Sequence, residues 1–270
     1  MTPVDRYLLF GQRQIDGWLH PYTAEFIATL AQLQRSAGFS GSLGEIGVHH
    51  GKLFVLLLLT ADSNEKAFAI DVFEDQALNL DGSGRGDRQI FEANIVRWAG
   101  SAEKLVTIAK SSLTVSPDEI LTSCGKVRLA SIDGGHTAEC AFSDLKLIEA
   151  VMPDYGIAVL DDYFNEDWPD VSTGAARYFM QTTTRMRPFA IVPNKVFLAT
   201  QEYNKFYRDR IAAETHFRRW KTSNMFGCEV DVFHGPPAPV PLGTYAREYL
   251  RHSSLGPYLA SAKSALRRRR

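Results

Sequence analysis

Two apolar, β-branched runs that each end in carboxylates constrain the fold of this chain more than any other feature. Residues 127–132 (Val-Arg-Leu-Ala-Ser-Ile) lead into Asp133, and residues 157–160 (Ile-Ala-Val-Leu) lead into Asp161 and Asp162. Such runs are typical of strands buried on both faces of a parallel sheet. A helix-length segment separates them, so we expect their carboxyl ends to meet at one edge of the sheet, where ligands bind in open α/β folds.

Strand-like and helix-like patterns alternate along the first 200 residues. Helical spacing of apolar residues covers residues 21–37, 51–60, 89–98, 117–121, 137–151 and 173–183, and further strand-like runs cover residues 42–47, 66–72 and 106–109. Residues 188–199 form two strand-like runs joined by a turn at Pro193-Asn194, which predicts a closing hairpin. The pattern predicts an α/β fold with a doubly wound, mostly parallel, seven-stranded Rossmann-like sheet and an antiparallel closing strand.

The same patterns divide the chain into three predicted parts. We expect a helical segment over residues 1–40, the α/β domain over residues 41–200 and an extension over residues 201–270. Within the extension, the sequence predicts an aromatic and basic helix over residues 203–220, an extra strand over residues 228–233 and a basic tail.

Composition excludes several classes of function. A net charge of −1 gives no basic field, so we do not expect a nucleic-acid partner. The apolar run at residues 53–59 is too short to span a bilayer, and the start of the chain lacks a signal-peptide pattern, which predicts a cytoplasmic protein without a transmembrane segment. The three cysteines form no close-spaced pair, and this excludes a zinc knuckle or a CxxC redox centre.

A second group of signals lies where the first predicted strand turns into the next helix. The string Glu45-Ile-Gly47-Val-His-His-Gly51 offers glycines that let the backbone approach a ligand, and a carboxylate that can accept from a cationic or hydroxyl group. Asp71 ends the next strand, 20 residues after Gly51, where it can accept both hydroxyls of a ribose. The string lacks the glycine spacing of a dinucleotide or phosphate loop, and this favours a nucleoside without phosphates.

This ordered set resembles the class I S-adenosylmethionine-dependent methyltransferases. The residues that carry the resemblance are Glu45, Gly47, Gly51 and Asp71. His49 stands where the commoner first motif has its middle glycine. The resemblance covers residues 40–200, and it implies that these residues bind S-adenosylmethionine and that Ser112, after the third strand, lies beside the adenine.

Within that family, the ends of the two carboxylate-tipped strands resemble the metal-assisted O-methyltransferases of sugars and macrolides. The resemblance implies that Asp133, Asp161 and Asp162 hold Mg²⁺ or Mn²⁺, that Asp133 also contacts the cofactor, and that His136 is the general base. Carboxylates suit magnesium or manganese better than zinc. Coordination to a cation lowers the pKa of an alcohol, and an imidazole that titrates near neutrality can take the proton.

Structural alternatives stay open for each of these residues. Asp133 and Asp161 could cap helices, Asp162 could lie in an exposed turn, and His136 could be a structural histidine. His49 and His50 suit backbone packing or a substrate contact better than metal binding, because adjacent histidines ligate one metal awkwardly.

The sequence predicts an S-adenosylmethionine-dependent, metal-assisted O-methyltransferase for a hydroxyl of a sugar or glycosylated metabolite. Its partner is then a small-molecule or saccharide acceptor, and a homodimer is compatible with the chain. Two alternatives are a metal-dependent hydroxylase of similar fold and a non-catalytic nucleoside-binding subunit. The two-His-one-carboxylate set of a non-haem iron hydroxylase is poorly represented here, which disfavours the first alternative.

Residues 79–87 (Asn-Leu-Asp-Gly-Ser-Gly-Arg-Gly-Asp) match the early positions of a calcium loop. Position twelve of that loop falls on Ile90, where a bidentate glutamate is required. A glycine-rich, charged loop directly after the cofactor strand instead predicts a mobile lid over the site. Across the crevice, the ring of Trp168 could stack on a sugar or pack in the core.

Overall fold

A computed structural model of the chain describes residues 1–235, which contain eight α-helices and nine strands. The helices are α1 (Pro3–Leu9), α2 (Pro21–Ser36), α3 (Lys52–Thr60), α4 (Arg88–Ala99), α5 (Pro117–Cys124), α6 (Ala138–Val151), α7 (Pro169–Phe179) and α8 (Gln201–Glu214). The strands are β1 (Ser42–Ile46), β2 (Ala67–Asp71), β3 (Leu105–Ala109), β4 (Val127–Ile132), β5 (Ile157–Asp161), β6 (Met186–Val192), β7 (Lys195–Thr200), β8 (Arg219–Met225) and β9 (Cys228–Phe233). The predicted basic tail lies outside the described residues.

All nine strands form one sheet in the order β3-β2-β1-β4-β5-β7-β6-β9-β8. Strands β1 to β5 run parallel, and β7 runs antiparallel to β5 and β6. The predicted α/β fold, with a mostly parallel sheet and an antiparallel closing hairpin, is confirmed. The two-residue turn of that hairpin is Pro193-Asn194, and Asn194 adopts a positive φ of 65°.

The predicted count of seven strands is wrong, because a β8–β9 hairpin extends the sheet beyond β6. The predicted helix over residues 203–220 ends early, at Glu214, and its last residues start β8. The buried carboxylate of Asp231 in β9 accepts hydrogen bonds from Thr222 and Arg219 of β8 and from Arg208 of α8. These charge-assisted bonds to one buried acid stabilise the strand over a continued helix.

Helices cover both faces of the sheet, as burial of a parallel sheet requires. In β2, Ala67 and Ala69 enter one hydrophobic cluster with α2, α3 and α8, whereas Phe68 and Ile70 enter a second cluster with α6 and α7. The alternation follows from the two-residue period of a strand. Among the described residues, no helix has the length and apolar character needed to cross a membrane.

The register of the parallel strands aligns the residues that follow them. Ile46 pairs with Ile70 on one side and with Ile132 on the other, and Ile132 pairs with Leu160. The residues one position further along therefore form a row at the carboxyl edge of the sheet: Gly47, Asp71, Asp133 and Asp161. This row brings the predicted cofactor motif and the predicted metal ligands to the same edge.

Candidate active site

A cavity of about 480 Å³ opens at the carboxyl edge of the sheet. Its walls are the ends of β1, β2, β4 and β5, the loop after β3 and the glycine-rich loop over residues 79–87. The predicted site residues that line it are Gly47, Asp71, Ser112, Asp133, His136, Asp161 and Asp162. Two others, Glu45 and Gly51, are not among the lining residues. One cavity therefore contains both the candidate cofactor residues and the candidate catalytic residues.

Asp71 holds the loop of the glycine motif in place. Its Oδ2 accepts the backbone N–H groups of Val48 and His49, each at 2.8 Å, and its Oδ1 accepts the N–H of Phe73 at 2.7 Å. A carboxylate has about four acceptor positions, so one remains for a ligand hydroxyl. The acid at the tip of β2 thus has a structural role that the sequence did not reveal, in addition to its predicted contact with a ribose.

Gly47 is required by the close approach of β1 and β4. Its φ is +79°, and a Cβ atom at this position would collide with the backbone carbonyl of Asp133. Only glycine adopts this conformation and leaves room for the neighbouring chain. Gly51 is the N-cap of α3 and lies behind the cavity wall.

Glu45 lies beneath the cavity. Its side chain is buried, and its Oε2 has no hydrogen-bond partner among the described residues. Burial raises the pKa of Glu45 well above its ordinary value, although the ammonium of Lys195 opposes this shift. The structure therefore keeps the first acid of the glycine motif away from the cavity surface.

Lys195, the first residue of β7, neutralises the acid at the end of β5. Its ammonium donates to Oδ2 of Asp161, and both side chains are buried. The amide of Asn194 donates to the other oxygen of Asp161 at 2.8 Å. Burial alone would lower the pKa of Lys195, but the charges of Asp161 and Asp133 outweigh that effect and raise it. Asp161 is therefore already paired within the protein.

Asp162 has a positive φ of 57°, which directs its carboxylate toward His136. Oδ2 of Asp162 lies 3.1 Å from Nε2 of His136, and Oδ1 accepts from Asn165 at 2.8 Å and Asn194 at 2.7 Å. Burial would raise the pKa of this carboxyl, but these hydrogen bonds lower it to about 2. Asp162 is therefore ionised throughout the physiological range.

Asp133 is the least neutralised acid of the group. Its oxygens approach Nε2 of His136 only to 3.9 Å and Nζ of Lys195 only to 4.0 Å. Desolvation, together with the neighbouring charges of Asp161 and Asp162, raises the pKa of Asp133 well above its ordinary value. A cation bound beside Asp133 would relieve that repulsion.

His136 lies between two carboxylates. Nδ1 lies 3.0 Å from Oδ2 of Asp81, and Nε2 faces Asp162. Burial would lower the pKa of His136, but the hydrogen bond to Asp162 and the charges of Asp81 and Asp162 raise it. The ring also stacks on Trp168, with centroids 4.4 Å apart and planes 17° apart. The imidazole is therefore fixed in position on three sides.

The metal-capable group in this structure differs from the predicted one. Ligand atoms of Asp133, His136 and Asp162 all lie within 4.8 Å of one another. Asp161, predicted as the third ligand, is paired with Lys195 and Asn194 in this structure, and its role as a ligand stays a prediction. Two carboxylates and one imidazole fit a divalent cation with mixed oxygen and nitrogen donors, for which manganese is better suited than magnesium.

A second group, Asp16, His49 and His50, also has ligand atoms within 4.8 Å of one another. The rings of the two histidines stack at 3.8 Å. Nitrogens on parallel, stacked rings do not converge on one ion, so packing explains these two histidines better than metal binding does.

Sequence reasoning missed two members of the site, Asp81 and Lys195. Asp81 belongs to the loop that resembles a calcium site, and the signal was an acid in a glycine-rich segment next to the cofactor strand. Lys195 follows a turn, where a lysine is usually solvated. In the sequence, 55 residues separate Asp81 from His136 and 34 separate Asp161 from Lys195, and no local pattern reports contacts over such separations.

Strand order, the antiparallel β7 and the glycine-rich end of β1 together form the sheet edge that carries the candidate site. Residues 45–163 match the protein family described as a methyltransferase domain. No curated protein matches the chain by sequence.

Solved structures share the fold at low identity. The O-methyltransferase NovP is 15% identical, with a TM-score of 0.56 over 66% of this chain and 78% of that one. An O-methyltransferase from Bacillus cereus in complex with SAH is 13% identical, with a TM-score of 0.52 over 73% and 90% of the two chains. TomG from Streptomyces achromogenes, in complex with SAM, is also 13% identical, with a TM-score of 0.52 over 73% and 86%.

Proposed function

We propose that this chain is an S-adenosylmethionine-dependent O-methyltransferase that uses a divalent cation and acts on a hydroxyl of a sugar or glycosylated metabolite. The observation that carries the proposal is the position of His136. It lies between Asp81 and Asp162, beside the under-neutralised Asp133, in the cavity that also contains Asp71. The candidate base, the candidate cation ligands and the candidate cofactor acid thus line the same cavity.

The cofactor half of the cavity consists of Asp71, the turn after β1 and the loop at Ser112. When bound, S-adenosylmethionine supplies an electrophilic methyl group on a sulfonium. Asp71 can accept a ribose hydroxyl while it holds the backbone of the glycine motif. Ser112 lines the same cavity, in a short 3-10 turn after β3. These residues would hold the cofactor next to the acid-rich half of the cavity, and orientation is a large part of transfer catalysis.

In the acceptor half, His136 is the proposed general base. In the tautomer whose Nδ1–H donates to Asp81, the neutral imidazole presents the lone pair of Nε2 to the cavity. That nitrogen can take the proton of an acceptor hydroxyl. Asp162 stabilises the imidazolium that results, since its carboxylate is ionised and lies 3.1 Å away.

Asp133 and Asp162 are the proposed cation ligands, and Asp161 is held behind them by Lys195. A divalent cation bound there would lower the pKa of a hydroxyl that coordinates it. His136 can serve as ligand or as base, and these roles predict different behaviour on substitution.

The acceptor class rests on the aromatic wall. The rings of Trp18 and Trp168 both line the cavity, and flat aromatic faces suit sugar rings. TomG is described as involved in tomaymycin synthesis, and this supports a small-molecule acceptor. Since the chain has a net charge of −1, a nucleic-acid acceptor is disfavoured.

The test is a methyl-transfer screen on glycosides, with and without chelation, for the parent and His136→Ala. If His136 is the base, the variant loses turnover by about 10²- to 10⁴-fold while its affinities for S-adenosylmethionine and Mn²⁺ stay near those of the parent. Parent turnover in His136→Ala would remove the histidine from the mechanism. A matching loss of Mn²⁺ affinity would make it a ligand instead.

A further inference from the structure

We infer that Asp81, on the glycine-rich loop between β2 and α4, is a positioning residue for His136 and aligns the imidazole only while this loop lies across the cavity. The inference rests on the proposed function in one respect, because it takes His136 as the base. The contact itself and its effect on the imidazole can be measured without any turnover.

Asp81 contacts His136 at two points. Oδ2 of Asp81 accepts the backbone N–H of His136 and lies 3.0 Å from Nδ1 of the same residue. One carboxylate oxygen therefore fixes both the backbone and the ring of the histidine. The side chains of Asp81 and His136 are only 9% and 12% exposed, so water competes weakly for this contact.

The contact with Asp81 influences which ring nitrogen of His136 carries the proton. An imidazole whose Nδ1–H is held by a carboxylate has its lone pair on Nε2. Nε2 lies 3.1 Å from the carboxylate of Asp162, so Asp81 and Asp162 compete for the single proton of the neutral ring. Without Asp81, Asp162 alone holds that proton on Nε2, where it blocks proton uptake. Carboxylate partners of functional histidines act in this way in many enzymes.

The far end of the same loop lies against Asp71. There, a Cβ atom at Gly86 would lie 2.9 Å from Oδ1 of Asp71, the candidate cofactor acid. Between the ends, the amide of Asn79 donates to the carbonyl of Ser83 at 2.6 Å and keeps the loop folded on itself. The loop therefore bridges the cofactor acid and the base.

The bridge has a mechanistic consequence. Gly82 and Gly84 both have positive φ angles, so the segment between Asp81 and Gly86 has hinge positions at which a rotation costs little. A movement that lifts the loop from Asp71 also withdraws Asp81 from His136. The imidazole of His136 is then aligned only when the loop covers Asp71. In an open site, proton uptake by His136 is therefore suppressed.

The test is nitrogen-15 NMR of His136 in the free protein, at a pH where the imidazole is neutral. In the parent, we expect a measurable population of the Nδ1–H tautomer, because Asp81 competes with Asp162 for the ring proton. In Asp81→Ala, the signals move toward the Nε2–H tautomer, and in Asp81→Asn, which keeps an acceptor oxygen, they move less. Asp87→Ala is the matched control, since Asp87 caps α4 at the end of the same loop through a 2.8 Å bond to Ile90 and does not touch His136.

Kinetics then connect the contact to the reaction. Asp81→Ala is expected to lose about 10- to 100-fold in kcat with a smaller change in KM for the acceptor, and Asp81→Glu to recover part of the loss. Unchanged nitrogen shifts in a folded Asp81→Ala protein overturn the inference. If the shifts move as expected but His136→Ala keeps the parent turnover, the proposed base is wrong and the positioning contact stands.

Discussion

The ammonium of Lys195 on β7 donates to the carboxylate of Asp161 at the end of β5, and neither side chain is more than 7% exposed. The protein thus supplies its own cation to the acid row at the carboxyl edge of the sheet. This pairing leaves Asp133 and Asp162 as the acids available to a ligand. It also gives a prediction that separates structural charge compensation from metal binding.

Substituting Lys195 by Met should destabilise the fold by about 3–5 kcal/mol, because it leaves a buried carboxylate without its partner. Urea unfolding would measure the loss. Saturating Mn²⁺ should restore part of it in Lys195→Met, since Asp161 then becomes available to the ion. Lys205→Met removes an exposed pair with Asp209 and should cost less than about 1 kcal/mol. A Lys195→Met protein as stable as the parent would contradict this account.

Asp162 should control divalent cation binding. In Asp162→Asn, the amide keeps the shape of the side chain but loses the charge, so Mn²⁺ affinity should fall by at least about tenfold. Electron paramagnetic resonance of Mn²⁺ in the free protein would measure it. Asp170→Asn, at an exposed residue in the first turn of α7, is the control and should leave Mn²⁺ affinity unchanged.

We expect chelation of the parent protein to abolish methyl transfer, and Mg²⁺ or Mn²⁺ but not Zn²⁺ to restore it. Full activity after complete chelation would refute a metal mechanism.

Asp71→Ala should weaken S-adenosylmethionine binding by about 10- to 100-fold, which corresponds to one charge-assisted hydrogen bond. The variant should also melt at a lower temperature, because three backbone N–H groups of the cofactor side lose their acceptor. Calorimetric titration and a thermal melt would give both values. Asp75→Ala changes an exposed acid of the same loop and should alter neither. Parent affinity in a folded Asp71→Ala protein would exclude Asp71 from the cofactor site.

Asp144 on α6 should make the stability of the protein pH-dependent. Its side chain is 1% exposed, and burial raises its pKa to about 7, although the hydroxyl of Ser112 opposes this shift. The folded state therefore holds this proton more tightly than the unfolded state. The stability that this proton contributes is fully present below the unfolded pKa of 3.8 and is lost as the pH rises toward 7, by about 4 kcal/mol in total.

Asp144→Asn removes the titrating group. Because proton binding at this residue no longer contributes to folding, the unfolding free energy of the variant should fall less than that of the parent between about pH 5 and about pH 8. Urea titrations across this range would measure the slope. Asp118→Asn, on the exposed side of α5, should keep the slope of the parent. An Asp144→Asn slope equal to that of the parent would assign the pH dependence to other groups.

The sequence predicts the parallel half of the fold well because its signals are local. The apolar runs of β4 and β5 are buried along their whole length, and the carboxylates follow at the point where each strand leaves the core. Burial on both faces leaves no polar alternation to confuse the strand with other elements. The predicted row of acids then follows from strand pairing alone.

The remaining features depend on contacts that no local pattern contains. Residues 215–220 continue the aromatic and basic character of α8. Pairing with β9, together with the bonds from Arg219 and Thr222 to Asp231, selects a strand from Arg219 onward. The pairing of Asp161 with Lys195 is a second contact of this kind, because 34 residues separate the two. In both cases, tertiary partners decide between conformations that the sequence leaves open.

The Asp161–Lys195 pair also sets an order of events during synthesis. The acids at the ends of β4 and β5 leave the ribosome before their counter-ion, which follows 34 residues after Asp161. At ordinary elongation rates, this interval lasts about 2 to 7 s. During that time, the nascent parallel sheet holds a row of carboxylates without an ammonium beside them. A chain arrested before β7 therefore lacks the ammonium that neutralises Asp161, and arrival of the β6–β7 hairpin adds both the strand beside β5 and this charge in one step, before β8 and β9 extend the sheet.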